Sequence, residues 1–427
     1  MPLTIHLRTV PSRATRRRHP PAPAAAAWRP LRIVMIGQKG LPATFGGIEH
    51  HVEEVGRRLA ERGHHVTVFC RSSYGAARDA AYLGMELRSA PTVGTKHLDA
   101  IVHSASSTAL GLLGGADIVH YHGIGPGLMS PVPHYLSHAK VVLTIHGLDH
   151  QRGKWGHAAQ AVLGAGHWMS GHLPDRTVVV SRALEQHYLE HFSHGCDYIP
   201  NGVVEPPDLP AQRIVDELGL TPGGYALFVG RLVPEKAPDQ LLRAYRRVPG
   251  NLPLVVVGDS SFTDDYTGQV RDLAAQDPRV MLTGFAYGDL LAELYRHAAA
   301  FVQPSLLEGL PLTLLEAASH GTPVVASDIA PHLEVLGADA PGRRVFPAGD
   351  EAGLASALTT ALAAPQEERA AAADLRRQVL DTYRWDAAVD QLEQLYLEEV
   401  RVAPQTSRLR RRPAAALPGG TLGRTRW

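Results

Sequence analysis

Two glutamates in the second half of the chain, Glu308 and Glu316, are separated by seven residues in the segment EGLPLTLLE. A strand-like run, AAFVQPS, ends just before them, and Pro311 suits the first turn of a helix. Such a helix would present the amides of residues 309–312 at its positive end, where phosphates bind. Glu316 would lie about one turn inside it, within reach of a ligand's hydroxyl groups. The spacing alone also fits a first-turn acid that stabilises the helix, Glu308, and a solvated acid, Glu316.

A second segment, FVGRLVPEKAPDQLL, places Arg231 and Lys236 on a loop between a strand and a helix. A guanidinium binds phosphate oxygens in pairs and an ammonium acts as a compact point charge, so the two cations suit a diphosphate. Two cations on one loop are also common on a solvated surface. The presence of both segments in the same half of the chain favours a phosphate site.

The elements that must position these residues form two series of short apolar runs. The first half contains LRIVMIG, HVTVFCR, ADIVHYHG, KVVLTIHG and RTVVVS, and the second half contains YALFVGR, LPLVVVGD, RVMLTGF, AAFVQPS and TPVVASD. Continuous Val, Ile and Leu runs are typical of parallel strands buried on both faces. We therefore predict an α/β protein with two Rossmann-like, doubly wound domains facing across a cleft. The first strand runs into GQKGLPATFGG rather than a dinucleotide fingerprint, which argues against a nicotinamide dehydrogenase.

Composition divides the chain further. The predicted parts are a disordered basic tail (1–30), two Rossmann-like domains (31–202 and 203–384), a C-terminal helix (385–401) and a second disordered basic tail (402–427).

Charge and hydropathy exclude several classes of protein. Each tail carries six Arg and no acid; with those 12 set aside, 30 of the 42 basic residues remain against all 42 acidic residues, a formal charge of −12. An acidic body argues against nucleic-acid binding. The chain has no apolar stretch of transmembrane length and no signal-peptide core, so the expected location is the cytoplasm. Its two cysteines cannot form a disulfide framework.

The ordered motifs of both halves resemble retaining nucleotide-sugar glycosyltransferases of the GT-B fold, specifically glycosyltransferase family 4. The second half matches through Glu308 and Glu316, through Gly230, Arg231 and Lys236, and through the glycine of VVVGD. The first half matches through GQKGLPATFGGIEHH, HYHGIGPG, TIHGLDHQRGKWG and YIPNGV. The resemblance covers about residues 31–400 and is strongest to the cell-wall and capsule branch, which includes rhamnosyltransferases.

The resemblance implies that four residues carry the chemistry. Arg231 and Lys236 would bind the donor diphosphate, Glu308 would bind the sugar hydroxyls, and His146 would face the donor sugar. Many relatives place an Asp directly after this histidine, whereas here two residues intervene before Asp149, so the role of Asp149 stays open.

The resemblance makes 31–202 the acceptor-side domain and 203–384 the nucleotide-sugar-binding domain, with the helix 385–401 crossing back to the first domain.

The resemblance also implies a wider donor-binding set. Its members are Gly46, Gly47, Gly230, Arg231, Lys236, Gly258, Glu308, Gly309, Leu310 and Glu316. Glu316 would bind the ribose hydroxyls, and Gly309 and Leu310 would lend backbone amides. Gly46 and Gly47 would lie against the donor phosphates or the acceptor.

The implied reaction moves a sugar from a UDP-, GDP- or dTDP-sugar to a glycan or lipid-linked saccharide acceptor, with retention, in cell-surface polysaccharide synthesis. No further cofactor and no metal ligand are predicted, because the chain contains no Asp-x-Asp element. The basic tails would associate peripherally with an anionic membrane, at the inner face of the plasma membrane. A nucleotide-sugar 2-epimerase of the same fold and a catalytically silent partner subunit remain as alternatives.

Histidines raise a separate question about metal. The pair His120 and His122 has the spacing of zinc ligands, although a chain with 23 histidines contains such pairs by chance. We interpret this pair as loop residues near the acceptor side. The adjacent His50 and His51 are interpreted as polar positions on the first helix.

Overall fold

The strands form two sheets, one in each half of the chain. The computed structural model describes residues 29–43, 46–72, 80–92, 98–148, 157–192, 195–259 and 264–402. Most of both predicted tails, and Asp149, lie outside these ranges. Among the helices that are described, none is long and apolar enough to cross a membrane.

The first sheet is built from the predicted apolar runs together with three short strands that the sequence analysis missed. Its strands are β1 (Arg32–Ile36), β2 (His65–Arg71), β3 (Ala80–Tyr82), β4 (Met85–Ala90), β5 (Ile118–His122), β6 (Lys140–Ile145), β7 (Arg176–Val179) and β8 (Asp197–Tyr198). Their order is β3-β4-β2-β1-β5-β6-β7-β8, and only the β3–β4 pair is antiparallel. Strands β5 and β6 are buried throughout, as continuous apolar runs predict.

Helices connect these strands. They are α1 (Gly47–Glu61), α2 (Leu98–Leu113), α3 (Ile124–Gly127), α4 (Pro131–Leu136), α5 (His157–Ser170) and α6 (Arg182–His191). Helix α1 buries Val52, Val55 and Leu59, which share one face at helical spacing. It ends where Gly63 adopts a positive φ of 91°.

The second sheet is wholly parallel. Its strands are β9 (Ala226–Val229), β10 (Leu254–Val257), β11 (Val280–Gly284), β12 (Ala300–Gln303), β13 (Val324–Ser327) and β14 (Arg343–Phe346), in the order β11-β10-β9-β12-β13-β14. The helices are α7 (Arg213–Leu218), α8 (Pro238–Tyr245), α9 (Asp264–Ala274), α10 (Gly288–His297), α11 (Leu312–Ser319), α12 (Ala330–Leu336), α13 (Glu351–Ala363), α14 (Pro365–Thr382) and α15 (Trp385–Val402), with a short 3₁₀ helix at Pro234–Lys236. The predicted α/β fold with two Rossmann-like sheets is confirmed.

The last helix, α15, packs on the first sheet rather than the second. Trp385 and Tyr396 are fully buried there in one apolar cluster with residues of β1 and α1. Two arginines of α1 anchor it, because Arg58 pairs with Asp386 at 2.8 Å and Arg62 pairs with Glu393 at 2.6 Å. The helix therefore fastens the end of the second half of the chain to the first half. The domain boundaries as such stay a prediction.

Each sheet has a point where the strand order reverses, between β1 and β5 in the first and between β9 and β12 in the second. In open α/β sheets, ligands bind beyond the carboxyl ends of the strands at such points. The loops that follow β1, β6, β9 and β12 carry most of the residues that the sequence predicts for the site.

Candidate active site

The loops after β6 and β12 touch each other through His146 and Gly309. A Cβ atom added to Gly309 would lie 1.8 Å from the carbonyl oxygen of His146 and 2.7 Å from its carbonyl carbon. No side chain fits in that space, so residue 309 must be glycine for the two loops to approach. The structure thus brings together two predicted site residues that are 163 positions apart in the sequence.

The beginnings of α1 and α11 also meet. A Cβ atom on Gly47, the first residue of α1, would lie 3.2 Å from Cδ1 of Leu312, the first residue of α11. Gly46 caps α1 with a φ of 107°. Two helix N-termini, each a positive dipole end, therefore converge on one region, which suits an anionic ligand.

The start of α11 differs by one position from the prediction. Pro311 is extended and serves as the N-cap, so the helix begins at Leu312 and not at the proline. Within the part of the chain that the structure describes, the amides of Gly309 and Leu310 donate no hydrogen bond. They remain available to an anion, as the sequence analysis expects of this turn.

Lys236 and Glu308 form a direct ion pair, with Nζ 2.5 Å from Oε1. Gln303 Nε2 donates a second hydrogen bond to the same carboxylate oxygen at 2.9 Å. Burial disfavours the charged carboxylate, but the Lys236 ammonium outweighs it and lowers the pKa of Glu308 to about 2. Glu308 is therefore ionised at neutral pH. Lys236 and Glu308, which the resemblance assigns to the diphosphate and to the sugar, hold each other in position.

Two loops of the second sheet carry this pair. Lys236 ends the 3₁₀ helix that follows β9, and Glu308 follows β12. The backbone amide of Leu306 donates to the carbonyl of Glu235 at 2.9 Å, which ties the loops together. The sequence placed Lys236 at the opening of a helix, and the structure puts it just before α8 instead.

Glu316 lies one turn inside α11, as predicted, and is held by a tyrosine. Tyr295 donates its hydroxyl hydrogen to Oε2 of Glu316 at 2.9 Å. Burial raises the pKa of Glu316, while the nearby charge of His50 on α1 and the Tyr295 hydrogen bond oppose the shift. The electrostatic influence of His50 indicates that Glu316 faces the first half of the chain.

The charge of Arg231, on the loop after β9, acts on Lys39, on the loop after β1. The Arg231 side chain is 40% exposed and has a nitrogen 3.9 Å from Oε1 of Glu235. Across the site, burial lowers the pKa of Lys39, Glu49 opposes the shift, and the charges of Arg71 and Arg231 add to it. Lys39 was not among the predicted site residues. Its position shortly after the first strand, in GQKG, could have indicated a site residue, because ligands bind beyond the carboxyl ends of such strands.

The two glycines predicted at strand ends contact each other. Gly230 follows β9 and Gly258 follows β10, and a Cβ atom on Gly258 would lie 2.0 Å from the carbonyl oxygen of Gly230. Gly258 also has a φ of 131°, which disfavours other residues. This close approach shapes the backbone immediately before Arg231.

His146 belongs to a group of histidines that the sequence analysis did not assemble. His51 of α1 and His122 at the end of β5 each have a ring nitrogen within 4.8 Å of one in His146. His51 lies on the first helix, as interpreted, but it is only 5% exposed and so does not belong to the solvated face of that helix. The signal available in the sequence was the recurrence of histidine at two strand ends and on the first helix.

The sequence matches two family models, one in each half of the chain. Residues 45–205 match Glycosyltransferase Family 4, and residues 213–379 match Glycosyl transferases group 1. The chain is 27% identical over 393 residues to alpha-maltose-1-phosphate synthase of Mycolicibacterium smegmatis, covering 86% of this chain and 99% of that protein. Over 145 residues it is 34% identical to O-antigen chain mannosyltransferase B of Escherichia coli, covering 33% of this chain and 37% of that protein.

Solved structures share the fold. Sucrose-phosphate synthase from Thermosynechococcus elongatus aligns with a TM-score of 0.74 at 22% identity, covering 86% of this chain and 98% of that one. HepE from Anabaena in complex with UDP-glucose aligns with a TM-score of 0.71 at 16% identity, covering 86% and 100%. The chain is therefore a glycosyltransferase of the GT-B type, similar to family 4 in its first half and to group 1 in its second.

Proposed function

We propose that this glycosyltransferase moves a sugar from a nucleoside diphosphate donor to a glycan or lipid-linked acceptor, with retention, in the synthesis of a cell-surface polysaccharide. The observation that carries the proposal is the contact of Gly309 with His146, directly beside the Lys236–Glu308 pair. We expect Lys236 and the amide of Gly309 to bind the diphosphate and His146 to face the sugar. The contact supports the proposal because these residues lie side by side.

The proposed step needs no enzyme nucleophile. The acceptor hydroxyl oxygen bonds to the anomeric carbon as the bond from that carbon to the diphosphate oxygen breaks. The hydroxyl proton passes to the departing phosphate oxygen, and attack from the face that the phosphate leaves gives retention. The main task of the protein is then to orient two substrates and to stabilise the negative charge that develops on the leaving group.

Lys236, Arg231 and the amides of Gly309 and Leu310 supply that stabilisation. One cation about 4 Å from a phosphate charge, at an effective dielectric near 20, contributes about 4 kcal/mol before desolvation. The Lys236 ammonium is already oriented by Glu308, so little reorganisation is needed when the donor binds. Glu308 keeps a second carboxylate oxygen to accept hydrogen bonds from sugar hydroxyls.

Several relatives support a nucleotide-sugar donor and a surface glycan. One solved structure holds UDP-glucose, another, a starch synthase from Arabidopsis thaliana, holds ADP, and the mannosyltransferase relative is named for the O-antigen chain. We extend the donor class to UDP-, GDP- and dTDP-sugars for this chain, with ADP-sugars added to the screen.

The test is a donor panel. The full chain is incubated with each UDP-, GDP-, dTDP- and ADP-sugar, with and without short glycan acceptors, and release of the nucleoside diphosphate is measured. We expect one donor to dominate and the acceptor product to keep the anomeric configuration of the donor by ¹H NMR. Inverted product would overturn retention, and conversion of donor to its 2-epimer without acceptor would replace transfer by epimerisation.

We also propose that the arginine-rich ends of the chain bring the enzyme to anionic lipid, where a lipid-linked acceptor would be found. Each basic residue near such a surface contributes about 1 kcal/mol. Sedimentation with anionic liposomes compares the full chain with a variant whose 12 tail arginines are serine. Equal binding of the two proteins would remove the tails from membrane association.

A further inference from the structure

Three histidines from three separate elements converge beside the candidate active site. His51 comes from α1, His122 ends β5, and His146 directly follows β6. The ring centroids of His51 and His146 are 4.6 Å apart, and those of His51 and His122 are 5.3 Å apart. One ring nitrogen from each residue lies within 4.8 Å of the other two.

Two of these rings have a nitrogen whose hydrogen-bonding capacity is unmet. Among the residues that the structure describes, neither Nε2 of His51 nor Nε2 of His122 has a hydrogen-bond partner, and the two residues are only 5% and 1% exposed. Nδ1 of His122 lies 3.4 Å from Nε2 of His146. A buried polar atom without a partner destabilises the fold, because it has given up its hydrogen bonds to water without replacement. Such atoms are rare in native proteins and call for a ligand or another explanation.

The orientation of His51 is fixed by a side-chain amide. Nδ1 of His51 lies 2.6 Å from Oδ1 of Asn201, and an amide oxygen only accepts hydrogen bonds. Nδ1 must therefore carry the hydrogen. Nε2 is then unprotonated, and its lone pair can bind a ligand. A histidine that donates one ring N–H to an oxygen while its other nitrogen stays free has the arrangement that orients metal ligands.

The neighbouring His120 does not belong to this group. Its Nδ1 is 2.6 Å from the Tyr396 hydroxyl and its Nε2 is 2.7 Å from Oγ1 of Thr144, so both nitrogens are already engaged. The pair His120 and His122, which has zinc-like spacing in the sequence, therefore does not act as a pair. His122 instead joins two residues that are distant from it in the sequence.

We propose that His51, His122 and His146 form a binding site for a borderline transition-metal ion, represented by Zn²⁺. Bonds of about 2.1 Å at tetrahedral angles place ligand nitrogens about 3.4 Å apart. The nitrogens, now within 4.8 Å of one another, would close by about 1.4 Å at most, through rotation of the His122 and His146 rings toward His51, which Asn201 holds in place. His146, the least buried of the three, leaves the fourth coordination position for water.

Occupation of this site inhibits sugar transfer. His146 is the residue that we expect to face the donor sugar, and a metal ion that holds its ring removes it from that role. This consequence rests on the proposed function, whereas the binding site itself does not. The ion is an inhibitor here and no requirement of the reaction.

The binding test uses Co²⁺ as a spectroscopic probe for Zn²⁺. The full chain, freed of metal with a chelator, is titrated with Co²⁺ and followed by visible absorption. We expect intense bands of four-coordinate Co²⁺ that saturate at one equivalent and disappear when Zn²⁺ is added. His51→Gln and His122→Gln should each weaken the affinity at least tenfold.

Two control variants identify the site. His103→Gln changes a buried histidine outside the cluster, and His191→Gln changes one of two histidines one turn apart on the surface of α6. Both should bind Co²⁺ like the unmodified chain. Wild-type protein without saturable bands, or loss of the bands in His191→Gln but not in His122→Gln, would overturn the proposal.

A second measurement covers the case in which a cluster variant fails to fold. Crystals of the unmodified chain soaked in Zn²⁺ should give an anomalous peak between the three rings, and a peak elsewhere alone would overturn the site. Inhibition is measured as the ratio of turnover without and with Zn²⁺. We expect a ratio of about ten for the unmodified chain and a ratio near one for His122→Gln, which would support the inhibitory role. Bound Zn²⁺ without any loss of turnover would overturn that role.

Discussion

Gly309 lies against the backbone of His146 so closely that a single added methyl group would stand 1.8 Å from the His146 carbonyl oxygen. This contact joins the loop after β12 to the loop after β6. The alignment of the anion-binding turn with the sugar-facing histidine therefore depends on the absence of a side chain at one position.

Gly309→Ala should force these loops apart and lower kcat/KM by at least tenfold, about 1.4 kcal/mol in the activation barrier. The melting temperature should change less than the activity, because the contact joins two loops beyond the strand ends and not two strands of a sheet. The control is Gly268→Ala in α9, where an added Cβ meets nothing within 4 Å. Equal activity of the two variants would show that the close approach is not needed for catalysis.

Glu308→Gln should reduce kcat more than it reduces affinity for the free nucleoside diphosphate. The carboxylate is expected to contact the sugar and to orient Lys236, while Arg231 and the backbone amides still bind phosphate. Calorimetric titration with the nucleoside diphosphate, alongside steady-state kinetics, separates the two effects. Losses of equal size in both measurements would contradict a sugar-contacting role.

Glu316→Ala should raise the donor KM and lower turnover while the protein remains folded. Tyr295→Phe should give a smaller loss, since it removes only the hydroxyl that holds Glu316 at 2.9 Å. Kinetics with the preferred donor provide the comparison. If kcat/KM is unchanged in Glu316→Ala, this glutamate is outside the site.

Stability should decline in mild acid because buried histidines are kept neutral. Burial lowers the pKa values of His103, His320 and His332 to about 4, whereas in the unfolded chain they titrate near 6.5. Between these values the unfolded state binds more protons, so the free energy of unfolding falls as the pH falls. Each ring contributes up to about 1.4 kcal/mol per pH unit.

Urea unfolding at several pH values between about 7 and about 5 measures this slope. His103→Gln should reduce the dependence of the unfolding free energy on pH by up to about 1.4 kcal/mol per pH unit, because one ring that takes up a proton only on unfolding has been removed. A slope that stays the same in this variant would mean that the His103 ring is not kept neutral by the fold.

Much of the fold and part of the site were predictable from the sequence. Unbroken apolar runs marked the long buried strands, and the spacing of Glu308 and Glu316 placed one before α11 and the other inside it. The strands β3, β4, β8 and β14 were missed. Strands β3 and β8 have only three and two residues, and none of the four carries a continuous run of Val, Ile and Leu like the predicted strands. Their formation depends on pairing at the edges of sheets that the rest of the chain builds.

The contacts between distant residues were the part that the sequence could not supply. No local pattern indicates that Lys236 pairs with Glu308. The pairing depends on β9 and β12 being neighbours in the second sheet, although they are distant in the sequence. The same holds for His51, which looked like a polar helix position and is buried beside two strand ends. Lys39 carried a local signal, its position after the first strand, that went unused.

The central claim, that cations and backbone amides of this chain stabilise the leaving diphosphate, is tested most directly by transfer assays in excess EDTA. We expect the unmodified enzyme to keep its activity there, and Arg231→Ala and Lys236→Ala each to lower kcat/KM by tenfold or more. Loss of transfer in EDTA that magnesium restores would contradict the account, and Glu308 and Glu316 would then have to be considered as ligands of a catalytic metal ion.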